Sequence, residues 1–276
     1  MENKKRNSVA TVLLTIVCIL WMYPIVLILI NSLKKEVAIT TSGVFSLPTS
    51  ETWNGVANFV ASVTQMDFLK SFWYSLVISV MSVVLIMLCC SMAAWYIVRV
   101  NGKLSKMFYY LCVFSMVVPF QMVMFTLAKT ADTLKLNNPY NICIIYLGFG
   151  AGLAVFMFTG FVKGIPLEIE EAALIDGCTR MKSLRYIITP IALPGIAVVA
   201  TFAFTMSWNE YLYAMIMTTS PAQQTAVVAI SSFKYADSAI WGRIMAASAL
   251  TSLPVTIIYI VAQAQLISGK SDGSVK

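Results

Sequence analysis

The sequence predicts an all-α polytopic membrane protein of six transmembrane helices, with both termini on the cytoplasmic side. Of its 276 residues 59% are hydrophobic and 11% charged, against about 25% charged in an ordinary soluble domain. Mean hydropathy is +0.82, more apolar surface than a soluble core can hide. The apolar residues come in long uncharged runs, whereas the strands of a membrane β-barrel alternate in polarity over about ten residues. The lysines and arginines are also shared unevenly among the connecting segments, which sets the orientation.

The runs follow in order. Val9–Ile30 is 22 residues without a charge. A cleaved signal peptide would have an apolar region of about 7–15 residues and then a small-residue cleavage site. This run is longer and ends in INSLKK, so it is span one, 9–30. Spans two to six are placed at 71–98, 107–128, 140–162, 192–217 and 243–267, each long enough for the roughly 20 residues that a bilayer requires. Together they make one transmembrane domain over 1–276, with connecting segments 31–70, 99–106, 129–139, 163–191 and 218–242. With the N-terminus inside, the inner segments carry 12 lysines and arginines and the outer segments 7. Pro24 and Pro119 are expected to kink spans one and three. Gly148, Gly150, Gly152 and Gly160 are expected to let span four pack closely.

The segment between spans four and five breaks the apolar pattern. Residues 163–185 hold eight charges: Lys163, Glu168, Glu170, Glu171, Asp176, Arg180, Lys182 and Arg185. At roughly 2.5–3.5 kcal/mol per charge in mid-bilayer, burying them would cost on the order of 20 kcal/mol, so this is an aqueous cytoplasmic loop. Pro166 suits a first helical turn. Glu168, Glu170 and Glu171 complement the positive end of the helix dipole, and Gly177 supplies a left-handed stop. The pattern predicts a short helix over 166–176, with Ile169, Ala172 and Ala173 on one face. Beyond it, Met181, Leu184 and Ile188 share a face while Lys182 and Arg185 point elsewhere, as in an amphipathic helix near the headgroups. Pro190 then sets the approach to span five. A bare solvated connector would not need two capped helices joined by a glycine.

Glu171-Ala172-Ala173, Gly177, Ile187 and Pro190 match the spacing EAA-x3-G-x9-I-x-L-P, with Thr189 where leucine is usual. The sequence thereby resembles the permease subunits of binding-protein-dependent ABC importers, which carry this EAA motif. NNPYNICIIYLG (137–148), FVKGIPLEIEEAALIDG (161–177), SWNEYLYA (207–214), WGRIMAASALTSLP (241–254) and the tail GKSDGSVK resemble the carbohydrate-uptake branch, specifically its maltose-type second permease subunit. The resemblance covers nearly the whole chain.

What the resemblance implies is a type I importer permease fold and ATP-driven uptake of a sugar, a di- or oligosaccharide, in the cytoplasmic membrane of a prokaryote. Glycerol phosphate or another small polar solute is the alternative cargo, and a stand-alone secondary carrier the alternative mechanism. The implied partners are a second homologous permease, two cytoplasmic ATPase subunits, an extracytoplasmic sugar-binding protein and the lipid bilayer. The loop becomes the coupling helix, in which Glu171, Ala172, Ala173, Asp176, Gly177 and Pro190 serve docking to the ATPase. The chain itself is then non-catalytic and holds no cofactor, with ATP and magnesium on the ATPase subunits. The polar segment 218–235 corresponds to a loop that reaches into the binding protein, which makes Gln223 and Gln224 candidate contacts. Sugar contacts would fall mainly on the partner permease.

The remaining features narrow the reading. Glu210 is an acid inside a predicted span and therefore a functional suspect. Its place near the outer end of span five, beside Trp208, Asn209 and Tyr211, leaves either a structural hydrogen-bonding role or a pathway or gate role. Ala264 to Ser271 formally matches a loose Walker A pattern, but a P-loop needs a strand before it and a helix after it. Five of the six cysteines lie in apolar runs, Cys178 alone lies in the charged loop, and the chain has no histidine, so no metal site is indicated. The net charge of +7 is spread over loops rather than massed in a patch for nucleic acid.

Overall fold

Long uncharged runs leave the backbone no polar neighbour but itself, and a helix satisfies every interior N–H and C=O within one segment. The computed structural model describes residues 2–65, 67–100, 102–217, 223–234 and 240–272. Among these residues the regular elements are helices, apart from an isolated bridge between Lys34 and Trp53. In order they are α1 (Glu2–Ser32), α2 (Glu36–Thr41), α3 (Gly55–Gln65), α4 (Phe68–Val100), α5 (Lys103–Ser115), α6 (Phe120–Thr133), α7 (Ile142–Lys163) and α8 (Leu167–Ile175). There follow α9 (Arg180–Ile191), α10 (Leu193–Asn209), α11 (Leu212–Met217), the single turn Ala226–Ala229, and α12 (Trp241–Asp272).

Four stretches are long and apolar enough to cross a membrane unbroken: Ala10–Ser32, Phe68–Val100, Ile142–Lys163 and Trp241–Ala264. Two bent pairs, α5 with α6 at 105° and α9 with α10 at 80°, bring the number to six if each counts as one span. The six-span expectation stands, with a correction to spans three and five. Pro119 does more than kink span three. It lies outside both helices, as the residue before Phe120, and α5 ends at Ser115. Span five is likewise cut, between Asn209 and Leu212. Pro24, by contrast, lies inside α1.

The chain divides into two compact units. The first comprises Met1–Leu69 and Ala229–Leu253. Its centre is Asn58, whose amide donates to the carbonyls of Ser32 and Lys34, both at 2.9 Å, and whose oxygen accepts from Asn54. A side chain at Gly242 would meet the Asn58 amide at 2.7 Å, so the close approach requires glycine there. Lys34 is buried, donating to Ser46 Oγ at 3.1 Å and to the Gly43 carbonyl at 3.4 Å. Burial pushes its pKa below the ordinary lysine value.

The second unit comprises Lys70–Val228 and Pro254–Lys276. Its core packs Ile86, Cys90 and Ala94 of α4 against Ala154, Val155 and Phe158 of α7 and Val199 and Ala203 of α10. Gly150 and Gly152 make this approach close. A side chain at the first would strike Ile86 at 2.5 Å, and at the second the Cys112 carbonyl at 2.6 Å. Gly148 and Gly160 meet nothing within 4 Å among the described residues, so neither sets a close approach within this chain. Beside this core, Phe120, Tyr146, Phe149 and Tyr213 form a ring cluster with centroid separations of 4.7 Å for Phe120–Phe149 and 5.6 Å for Phe149–Tyr213. The α7 span is half buried within the chain, so α7 is the central helix of its unit, whereas the apolar window of α1 has no buried residue and burial reaches α1 at its end, Asn31 and Ser32.

Candidate functional site

The charged loop folds as two helical pieces around a glycine turn. Pro166 stands just before α8 rather than in its first turn, with φ −57° and ψ 139°. The helix ends where glycine permits. Gly177 has φ +83°, its N–H donates to the Leu174 carbonyl at 3.1 Å, and the Cys178 N–H donates to the Ala173 carbonyl at 3.0 Å. Those two bonds form a Schellman cap, which needs a left-handed residue at this position. Thr179 opens α9 by accepting from the Lys182 N–H at 3.3 Å.

The faces of α8 differ from the expectation. Ile169, Ala172 and Ala173 do not share one surface: Ala173 is buried, Ile169 half-buried and Ala172 exposed. Glu171, Asp176 and Glu168 are exposed. The outward face also carries Leu174, 44% exposed, and Ile175, 86% exposed, immediately before the turn. An isoleucine so open at the tip of a charged loop is free to meet another surface. Leu174 and Ile175, two apolar residues separated from the stop glycine by Asp176 alone, were the signal for it in the sequence.

The expected amphipathic face of α9 is also corrected. Ile188 and Ser183 are buried, while Met181 is 65% exposed. The reason is a change of helical pitch. Leu184–Ile188 is a π turn, and Thr189 Oγ1 donates to the Leu184 carbonyl at 2.7 Å. Pro190, itself exposed, has no N–H to give to the carbonyl one turn back, and the ladder slips by a residue there.

In the sequence Glu170 is one of three acids at a helix start. Its neighbours on either side are half-buried and exposed, but Glu170 itself is 7% exposed and turned inward. Arg99, at the end of α4, donates through Nε to Glu170 Oε1 at 2.7 Å and through a terminal nitrogen to the Ile165 carbonyl at 3.0 Å. Trp95 Nε1 donates to the other oxygen, Oε2, at 3.3 Å. Beside this cluster lies a cleft of about 350 Å³ bordered by Tyr96, Leu167, Glu171, Arg180 and Ser183, with room for a side chain of another protein.

Glu210 lies at the break between α10 and α11, with φ −67° and ψ 121°. Its carboxylate accepts from the N–H of Tyr213 at 3.1 Å, the N–H of Ala214 at 2.9 Å and the hydroxyl of Tyr146 at 3.3 Å. It caps α11 and ties it to α7 through these three hydrogen bonds. Asn209 beside it is exposed. Of the outer segment, 223–234 are described; Gln223 is exposed and Gln224 half-buried, just ahead of the buried Thr225 and Ala226. Residues 218–222 and 235 of that segment lie outside the described residues, as do 273–276 of the tail. Gly269, Lys270 and Ser271 of the Walker-like stretch are helical within α12, so they form no phosphate loop. Among the described residues no three Cys, Asp or Glu side chains converge as metal ligands would.

With a six-crossing helical chain and a glycine-turned charged loop in place, comparison with known proteins becomes informative. Residues 86–270 match the family described as "binding-protein-dependent transport system inner membrane component". The chain belongs to that family. This permease is 32% identical over 261 residues to the probable starch degradation products transport system permease protein AmyC of Thermoanaerobacterium thermosulfurigenes, covering 95% of this chain and 94% of that one. It is 28% identical over 272 residues to the multiple sugar-binding transport system permease protein MsmG of Streptococcus mutans, covering 96% and 95%. Its fold is that of a chain of a bacterial ABC transporter involved in the import of the acidic polysaccharide alginate, with TM-score 0.79 at 20% identity over 96% of this chain and 98% of that one.

Proposed function

We propose that this permease is one of two homologous transmembrane subunits of an ATP-driven importer in a prokaryotic cytoplasmic membrane, and that its cargo is a sugar of two or more units. The observation that carries the reading is the exposed α8 with its Schellman turn and bare Ile175, in a chain whose relatives are named for starch degradation products and multiple sugars. On this reading α8 docks on a cytoplasmic ATPase subunit through Glu171, Ala172, Leu174 and Ile175, and the Gly177 turn sets its angle. Ala173 and Asp176 support the helix from inside and at its end, and Pro190 sets the tilt into span five. ATP and magnesium bind on the ATPase subunits, and this chain holds no cofactor of its own. Gln223 and Gln224 face the extracytoplasmic binding protein that delivers the sugar. The excess of Lys and Arg in the inner segments supports cytoplasmic termini.

The test is to co-express the permease with its genetic neighbours, isolate the assembly and identify which subunits travel with it. Uptake into proteoliposomes is then measured with labelled maltotriose, chitobiose and glycerol 3-phosphate. Transport of a sugar that needs ATP inside and the binding protein outside is expected. Uptake driven by an ion gradient without ATP would overturn the reading, and uptake of glycerol phosphate alone would change the cargo.

A further inference from the structure

We propose that span two is a rod that passes movement of α8 to the opposite end of its unit, and that the Arg99–Glu170 pair is the joint through which it does so. This rests on α8 being the ATPase-docking helix. Arg99 and Glu170 act as positioning residues, touching neither nucleotide nor sugar.

Besides the burial of Ala173, α8 is joined to the chain by two connectors, each containing a glycine: Gly164 before it and Gly177 after it. Such connectors transmit force poorly, because rotation about them is easy. Arg99 grips α8 at two points, the Glu170 carboxylate and the Ile165 carbonyl in the preceding connector. Two points fix rotation as well as position. Trp95, one turn back on α4, holds the remaining carboxylate oxygen. Arg99 and Glu170 side chains are 14% and 9% exposed, so pulling them apart would leave two poorly solvated charges. The pair therefore travels as a unit when α8 is displaced.

From Arg99 the helix runs unbroken to Phe68. At its other end Ser75 Oγ accepts the Ala226 N–H at 2.8 Å, both residues buried, and the Phe72 ring meets Trp208 edge-on at 5.5 Å. Arg99 and Ser75 are 24 residues apart, about 36 Å along a helix at 1.5 Å per residue. The rod thus joins the candidate ATPase-docking helix to segment 225–228, directly after Gln223 and Gln224. One rigid element links the two surfaces that face different partners.

The experiment uses the whole assembly with its ATPase subunits, in a background where the native cysteines are alanine. Spin labels at Lys70 and Lys129, both exposed, report the distance between the far end of α4 and α6. Distances are measured without nucleotide and with ATP and orthovanadate. The unaltered joint is expected to show a shift of more than about 2 Å between the two states. Arg99→Gln should keep its ATPase subunits at full stoichiometry yet lose most of that shift. Arg99→Lys, which keeps a charged donor for the Glu170 carboxylate and the Ile165 carbonyl, should recover much of it. No shift in the parent, a full shift in Arg99→Gln, loss of the ATPase subunits from Arg99→Gln, or no recovery in Arg99→Lys would each overturn the proposal. If Gly177→Val also leaves the ATPase subunits bound and the shift intact, the assignment of α8 as the docking helix fails instead.

Discussion

Glu170 and Glu210 are both carboxylates set among apolar helices, and they are held in opposite ways. Glu170 faces a guanidinium and an indole N–H brought from α4. Glu210 faces two backbone N–H groups of its own chain direction and one phenol from α7. The first arrangement needs charge, because a lone Arg99 would be stranded. The second needs an acceptor of the right shape, because peptide N–H groups are neutral dipoles. A carboxylate at a break in a span is thus a cap, while a carboxylate at the foot of a span is a joint. The same residue type in the same membrane protein therefore responds differently to loss of charge and to loss of the whole side chain.

The largest effect is expected at the joint. Glu170→Ala leaves the Arg99 charge uncompensated and should lower stability by about 3 kcal/mol, measured as thermal unfolding of the purified assembly in detergent. Glu170→Gln strands the same charge and should cost nearly as much. If Gln is instead mild at this position, the contrast with Glu210 disappears.

Next comes the turn beside the joint. A β-branched residue at φ +83° is strained whatever the space around it, and Gly177→Val should store about 1–3 kcal/mol of local strain. That energy falls on the angle between α8 and α9, outside the spans. Membrane abundance should stay normal while ATPase co-purification and sugar uptake fall, with Gly177→Ala milder. Full uptake by Gly177→Val would show that the turn transmits nothing.

At the cap, Glu210→Ala should cost about 1 kcal/mol, the worth of a helix-capping side chain. Glu210→Gln retains an acceptor and should keep uptake within about threefold of the parent. Uptake reduced to background at normal abundance would make Glu210 an ionised gate and break the comparison from the other side.

The smallest perturbation is a label. Cys178, half-buried just past the turn, should react with a membrane-impermeant maleimide in inside-out vesicles and not in intact spheroplasts. Bound ATPase should slow the reaction. Labelling from outside would reverse the topology.

The sequence by itself determined whatever depends on near neighbours in the chain. Uncharged runs became helices, Pro119 and Pro190 fell beside breaks, and Gly177 ended α8 in the left-handed region. Apolar length, a missing N–H and a missing Cβ are properties of one residue or one window, and no distant contact is needed to express them. Tertiary structure decided which side chain goes in and which stays out. Glu170 and Glu171 are adjacent and chemically identical, yet a rotation of about 100° around the helix buries the first and exposes the second. The helical wheel grouped Ala172 with Ala173 because it could not know where α4 would stand. Arg99 meets Glu170 across 71 positions of sequence, and Tyr146 meets Glu210 across 64. Such pairings are set by how whole helices pack, where closure of a long loop and burial of many apolar groups outweigh any local preference.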